Sequence, residues 1–126
     1  SSLLTDLSDR GLLDKTMVML CGEFSRTPRM NDGGNGGAPM SMGTPGRDHW
    51  GNAVFTLIGG GDIRGGQVVG STNRLGEVPK DRPLECCDLH ATIYHLLGID
   101  PSITFLNHAG MPTPAIDRGE VIGELV

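Results

Sequence analysis

The sequence predicts an α/β fold, a small, mostly parallel sheet flanked by helices. Three observations carry that expectation. Residues 16–21 (TMVMLC) form a short, nearly all-apolar run, the habit of a strand buried on both faces of a parallel sheet. A helical pattern precedes it, so helix, turn and strand make half of a βαβ unit. A second such run, residues 53–58 (AVFTLI), and an amphipathic helix over residues 85–97 follow later in the chain.

The elements read in order as follows. Residues 1–10 are the end of a helix, with Leu3, Leu4 and Leu7 on one face and Asp6 and Asp9 off it. Gly11 suits the left-handed position after the helix, and Leu12 the position beyond it in a Schellman closure. Gly59, Gly60 and Gly61 end the second strand. Residues 62–66 make a turn, 67–69 a short strand, and 70–84 a polar loop containing Pro79 and Pro83. In the helix at 85–97, Leu89, Ile93, Leu96 and Leu97 recur at helical spacing, and Glu85 and Asp88 favour its N-terminal end through the dipole. Gly98 and Ile99 close it, and Pro101 forbids continuation. The tail is loop, ending in one helical turn at 120–125.

Composition bounds the rest. The 126 residues, 13.3 kDa, suffice for one ordinary domain. A net charge of −5 argues against a nucleic-acid module, which needs a surplus of Lys and Arg on one face. No apolar run approaches the ~20 residues of a membrane span, so none is expected. No basic patch followed by an apolar stretch marks a signal peptide. Three cysteines, two of them adjacent, make no disulfide framework. Glycine is the anomaly: 20 residues, roughly twice the ordinary share. With only five aromatic residues, the expected core is thin. The chain therefore reads as a single partial domain, 1–126, cut from a larger one.

Residues 22–52 carry no periodicity and are dense in Gly, Pro, Asn and Ser. Structureless segments longer than ~12–15 residues in a compact domain are usually functional or disordered. The middle of this one, residues 31–45, is expected to be a mobile Gly-rich loop. Its two ends carry the convergent polar chemistry. One is Gly22-Glu23-Phe24-Ser25-Arg26-Thr27-Pro28, directly after a strand, where ligands of open α/β sheets bind. A carboxylate there suits a divalent metal and an arginine an anionic ester. The plainer alternative is a solvated loop in which Glu23 pairs with Arg26. The other end is Gly46-Arg47-Asp48-His49-Trp50, before the second strand. His49 suits a metal as neutral imidazole, with Asp48 as a second ligand or a group that orients its neighbour. Here the alternative is Asp48 capping a turn and His49 bonding loop backbone.

Two further clusters read as structural. The Gly59–Gly66 run lacks the Lys-Ser/Thr of a phosphate loop and breaks the dinucleotide spacing at Arg64, leaving a tight turn. Cys86, Cys87, His90 and His95 lack a second ligand pair for tetrahedral zinc, and Cys86 is expected as a small core residue.

The order of these motifs resembles one bacterial family. Helix and strand lead to G-E-F-x-R-T-P, a Gly-rich segment, G-R-D-H-W, a strand, G-G-G-x-x-G-G, D-R-P and the helix D-L-x-A-T-I-Y-H-L-L-G-I-D-P. The pattern is similar to the C-terminal portion of the family catalogued as domain of unknown function 1501, sulfatase-like and placed in the alkaline-phosphatase superfamily. The likeness runs from about Leu3 to Val126. It implies that the chain is the C-terminal part of an alkaline-phosphatase-like domain. It further implies a parent several hundred residues long, periplasmic or otherwise exported where a twin-arginine signal leads it.

The superfamily uses one or two divalent metals (zinc, calcium, manganese or magnesium) and a Ser, Thr or formylglycine nucleophile on phosphate or sulfate esters. Its phosphopentomutase branch ends a strand in Asp-His-Gly and later supplies Thr-Asp-His. On that pattern Glu23 takes the Asp position, Phe24 the first His position, and His49 the later His position after Asp48. A phenyl ring cannot ligate, so the pattern retains at most part of a two-metal site. The resemblance thus implies a metal-dependent sulfate or phosphate ester hydrolase. Glu23, His49 and Asp48 would face the metal, Arg26 and Arg47 the anionic substrate, and an upstream segment would supply the nucleophile. The 126 residues alone would be inactive, with self-association through an exposed sheet edge. The alternative is a non-catalytic binding protein on the same scaffold, with a polysaccharide or protein partner.

Overall fold

The structure, a computed structural model, describes residues 1–30 and 45–126. The segment expected to be a mobile loop falls, apart from Pro45, outside the described residues. The chain divides into two compact units. One comprises Ser1–Met19, Ile58–Val69 and Leu84–Val126; the other comprises Leu20–Leu57 and Gly70–Pro83.

In the first unit, helix α1 (Ser2–Asp9) ends as its sequence dictates. Gly11 sits at φ +66°, the Leu12 N–H donates to the Leu7 carbonyl at 2.8 Å, and the Gly11 N–H to Ser8 at 2.9 Å. That bond pair is the Schellman closure. A single 3₁₀ turn (Leu13–Lys15) leads to strand β1 (Val18–Cys21), whose residues from Leu20 onward belong to the second unit. Helix α2 (Cys86–Leu96) opens with a capping box: the Glu85 side chain takes the Asp88 backbone, and the Asp88 carboxylate accepts the Glu85 N–H at 2.8 Å. Gly98, at φ +68°, closes it through Ile99 N–H to Tyr94 and Gly98 N–H to His95.

Thr92 on α2 is the fully buried side chain among the described residues. Ala91 and Thr92 on the helix and Ile122 in the tail are the buried residues among those described. The tail is tied to α2 by polar side chains. The Asp88 carboxylate accepts the Glu120 N–H at 2.9 Å, and the Thr92 hydroxyl accepts the Ile122 N–H at 2.9 Å. This docking needs Gly119, whose φ is +129°, because a Cβ there would collide with the Cys87 carbonyl.

The class is α/β, but the mostly parallel sheet is not what forms. Strands pair in twos: β1 with β4 (Thr56–Gly59), β2 (Ser25–Arg26) with β3 (His49–Trp50), β5 (Ser71–Thr72) with β6 (Pro79–Asp81), and β7 (Thr104–Leu106) with β8 (Pro112–Pro114). The last three pairs are antiparallel. For β5–β6 and β7–β8 the reason is length: five or six residues join each pair, and a parallel return needs a crossover of a dozen or more. These two hairpins replace the loops expected at 70–84 and in the tail. Residues 67–69 form no strand, and the tail ends in a turn closed by Leu125 N–H to Ile122.

Burial on both faces of the two apolar strands is likewise corrected. Leu20 is 62% exposed, Leu57 58% and Phe55 70%, because β1 and β4 have only each other as sheet neighbours among the described residues. Cys86 is exposed rather than core, since it occupies the first turn of α2.

Candidate anion-binding site

Both polar motifs lie in the second unit, and β2–β3 brings them together. The antiparallel register sets Ser25 opposite Trp50 and Arg26 opposite His49. Two segments separated by more than twenty residues of sequence therefore share one short ladder. Thr27 extends it: its N–H donates to the Asp48 carbonyl at 2.9 Å, and its hydroxyl accepts the Asp48 N–H at 3.0 Å.

The side chains meet across this ladder. The Phe24 ring stacks on the His49 imidazole, with centroids 3.9 Å apart and planes 29° off parallel. The Arg26 guanidinium carbon lies 5.7 Å from the Phe24 centroid, within cation–π range, and Arg26 Nη1 donates to the Arg47 carbonyl at 3.4 Å. The Glu23–Arg26 ion pair of the plainer reading does not form among the described residues; Arg26 turns to the facing strand instead. Arg26, Arg47 and His49 are exposed and Asp48 is half-buried. Glu23 is exposed at the head of the motif. Phe24 also lines an open cleft of about 320 Å³ with Leu20, Val54 and Phe55.

A second layer holds β3 from behind. The Trp50 indole N–H donates to the Glu77 carbonyl at 2.7 Å. Asn73 grips Glu77 at both ends, accepting its N–H at 2.8 Å and donating to its carboxylate at 3.2 Å. Sequence reasoning singled out neither Thr27 as a ladder residue nor Asn73 and Glu77. The available signals were a Thr at the end of a strand before a proline, and an Asn four residues before a Glu in a turn.

The chain belongs to the DUF1501 family. The family model, described as a protein of unknown function, matches residues 1–126. Comparison with curated proteins and with solved structures finds no match. Within this DUF1501 chain the donor types at the site, two carboxylates and an imidazole, suit a divalent cation. Yet no group of three or more His, Cys, Asp or Glu side chains able to hold an ion stands together among the described residues. Phe24 fills the position next to His49 with a ring that cannot coordinate. These residues alone do not fit a complete metal centre. They do present exposed guanidinium and imidazole groups within one unit, an arrangement suited to a tetrahedral oxyanion.

Charge follows the same division. The second unit carries six Lys and Arg against five Asp and Glu, the first four against ten. The net negative charge of the chain therefore resides in the first unit.

Proposed function

We propose that the complete protein is a metal-dependent hydrolase of sulfate or phosphate esters, and that this chain supplies the anion-gripping part of its site. Arg26 and Arg47 meet the ester's charged oxygens. Glu23, Asp48 and His49 are a partial donor set, completed by residues outside these 126. The nucleophile comes from outside them as well. The observation that carries the reading is the β2–β3 register, which sets Arg26 opposite His49 and so joins the two motifs. The resemblance of the motif order to a family placed in the alkaline-phosphatase superfamily supports it.

A divalent metal, if held by Glu23, Asp48 and His49 together with residues outside these 126, would supply Lewis-acid polarisation of the ester. What this chain's own residues do is bind and orient. A guanidinium presents a planar fork of N–H donors that matches two oxygens of one anion. Arg26 is braced for this by the Phe24 ring and by the Arg47 carbonyl, which limits its rotamers before substrate arrives. His49, stacked on Phe24, is restricted in the same way. In the complete protein, His49→Ala is expected to lower the bound divalent metal measured by elemental analysis. Unchanged metal content removes His49 from the donor set.

The Phe24–His49 stack favours a second reading. A scaffold that has replaced a ligand by an aromatic ring suits a binding protein that grips an anionic polysaccharide or a protein partner without turnover. A panel of aryl sulfates and phosphates, tried with several divalent metals, separates the two. Turnover ends the second reading.

A further inference from the structure

We propose that Thr27 is a positioning residue of this site, acting through the peptide unit that joins Arg47 to Asp48. In an antiparallel ladder, facing hydrogen-bonded residues exchange two N–H···O=C bonds. The register of Ser25 with Trp50 and Arg26 with His49 places Thr27 opposite Asp48. One bond is the ordinary one, Thr27 N–H to the Asp48 carbonyl at 2.9 Å. The return bond is not. The Asp48 N–H goes to the Thr27 hydroxyl at 3.0 Å, in place of the Thr27 carbonyl.

The sequence explains the exchange. Thr27 precedes Pro28, which confines Thr27 to extended backbone, and the chain leaves the ladder there. The hydroxyl also donates to the Arg29 carbonyl at 2.9 Å, which fixes the direction of departure. Both donor and acceptor capacity of one oxygen are thus in use. Valine, of the same shape, offers neither.

The consequence runs through a rigid plane. The Asp48 N–H and the Arg47 carbonyl belong to one peptide unit, planar and trans, so they point in opposite directions. The Thr27 hydroxyl holds the N–H edge of that plane. The Arg47 carbonyl, on the opposite edge, is the acceptor that braces the Arg26 guanidinium. Without the hydroxyl the N–H edge of that plane loses this tie, and the acceptor presented to Arg26 shifts with no change to Arg26 itself. Thr27 touches no substrate in this arrangement; it aims the group that does.

The functional readout rests on the ester-binding reading; the geometric one does not. The test compares Thr27→Val and Thr27→Ser in the complete protein, with inorganic sulfate and inorganic phosphate as probes. Thr27→Val is expected to weaken anion binding about tenfold, and Thr27→Ser to stay within about twofold of wild type. Hydrogen exchange at the Asp48 amide is expected to accelerate in Thr27→Val and to remain slow in Thr27→Ser. Rescue by serine separates positioning by the hydroxyl from packing by the methyl group. Wild-type binding and wild-type Asp48 exchange in Thr27→Val overturn the proposal, as does a Thr27→Ser variant that fails alongside it. If the wild type binds neither anion, the ester reading fails and Asp48 exchange alone decides: fast only in Thr27→Val supports the role of Thr27, equal rates in all three refute it.

Discussion

One hydroxyl device occurs in both units, in different surroundings. In the first unit Thr92 donates to the Asp88 carbonyl at 2.7 Å and accepts the Ile122 N–H at 2.9 Å. In the second, Thr27 donates to the Arg29 carbonyl and accepts the Asp48 N–H, at nearly the same distances. Thr92 is 0% exposed, whereas Thr27 is half-buried beside exposed arginines. Where water is excluded, the partner N–H has nowhere else to turn, and the hydroxyl contributes stability. Where water reaches, an N–H released from its partner is resolvated, and the contribution is chiefly to direction. The same chemistry thus fastens a tail in one unit and aims a side chain in the other.

The largest expected effect concerns the fastening. Gly119→Ala places a Cβ against the Cys87 carbonyl at a backbone angle that L side chains rarely adopt. The tail then cannot lie along α2, and a loss of about 3 kcal/mol is expected in denaturant unfolding. A loss near zero means that the docking of residues 119–122 on α2 contributes little, and the contrast between the two threonines falls with it.

Thr92→Val comes next. It keeps the shape and strands the Ile122 N–H in a site closed to solvent, at a cost of about 2 kcal/mol, with Thr92→Ser largely restoring the loss. Thr27→Val is expected to cost clearly less in the same measurement, although it disturbs the site more. Equal destabilisation by the two valine variants breaks the contrast, because burial then has no bearing on what the hydroxyl does.

What the sequence made legible follows the range of the interactions. α2 and the closures at Gly11 and Gly98 depend on residues within four or five positions of one another. Leucine spacing, Glu85 and Asp88 therefore announce them. The capping box refines the dipole argument by giving Asp88 a definite acceptor role. The hairpins were illegible because Pro79, Pro112 and Pro114 interrupt the usual strand signal. Proline is tolerated at sheet edges, and every strand of a two-stranded ribbon is an edge. The burial expected of residues 16–21 and 53–58 failed for a different reason. An apolar run states what a strand prefers, while exposure depends on what covers it, which periodicity cannot supply. At the site, the residue types at 23–27 and 46–50 drew attention for their chemistry. Their pairing register, and the stacking of Phe24 on His49, are non-local facts that no spacing encodes.

A third hydroxyl extends the contrast to full exposure and carries the smallest expected effect. Ser102 donates both its N–H, at 2.8 Å, and its hydroxyl, at 2.7 Å, to one oxygen of Asp100 in the loop before β7. Those two bonds, the side-chain one first, hold the Asp100 carboxyl below its ordinary range; slight desolvation opposes them. Because the folded value is depressed, the stabilisation is present above the ordinary carboxylate pKa. It is lost as pH falls from that value through the lower folded one. Ser102→Ala removes the hydroxyl and leaves the backbone donor, so the Asp100 pKa followed by NMR titration is expected to rise part of the way back. The unfolding midpoint at neutral pH should scarcely move, because both residues are exposed and water replaces the lost donor. If Ser102→Ala destabilises the chain as much as Thr92→Val, the ordering of the three hydroxyls by burial is wrong. The role assigned to Thr27, intermediate between them, would then have to rest on the peptide plane of Arg47 and Asp48 alone.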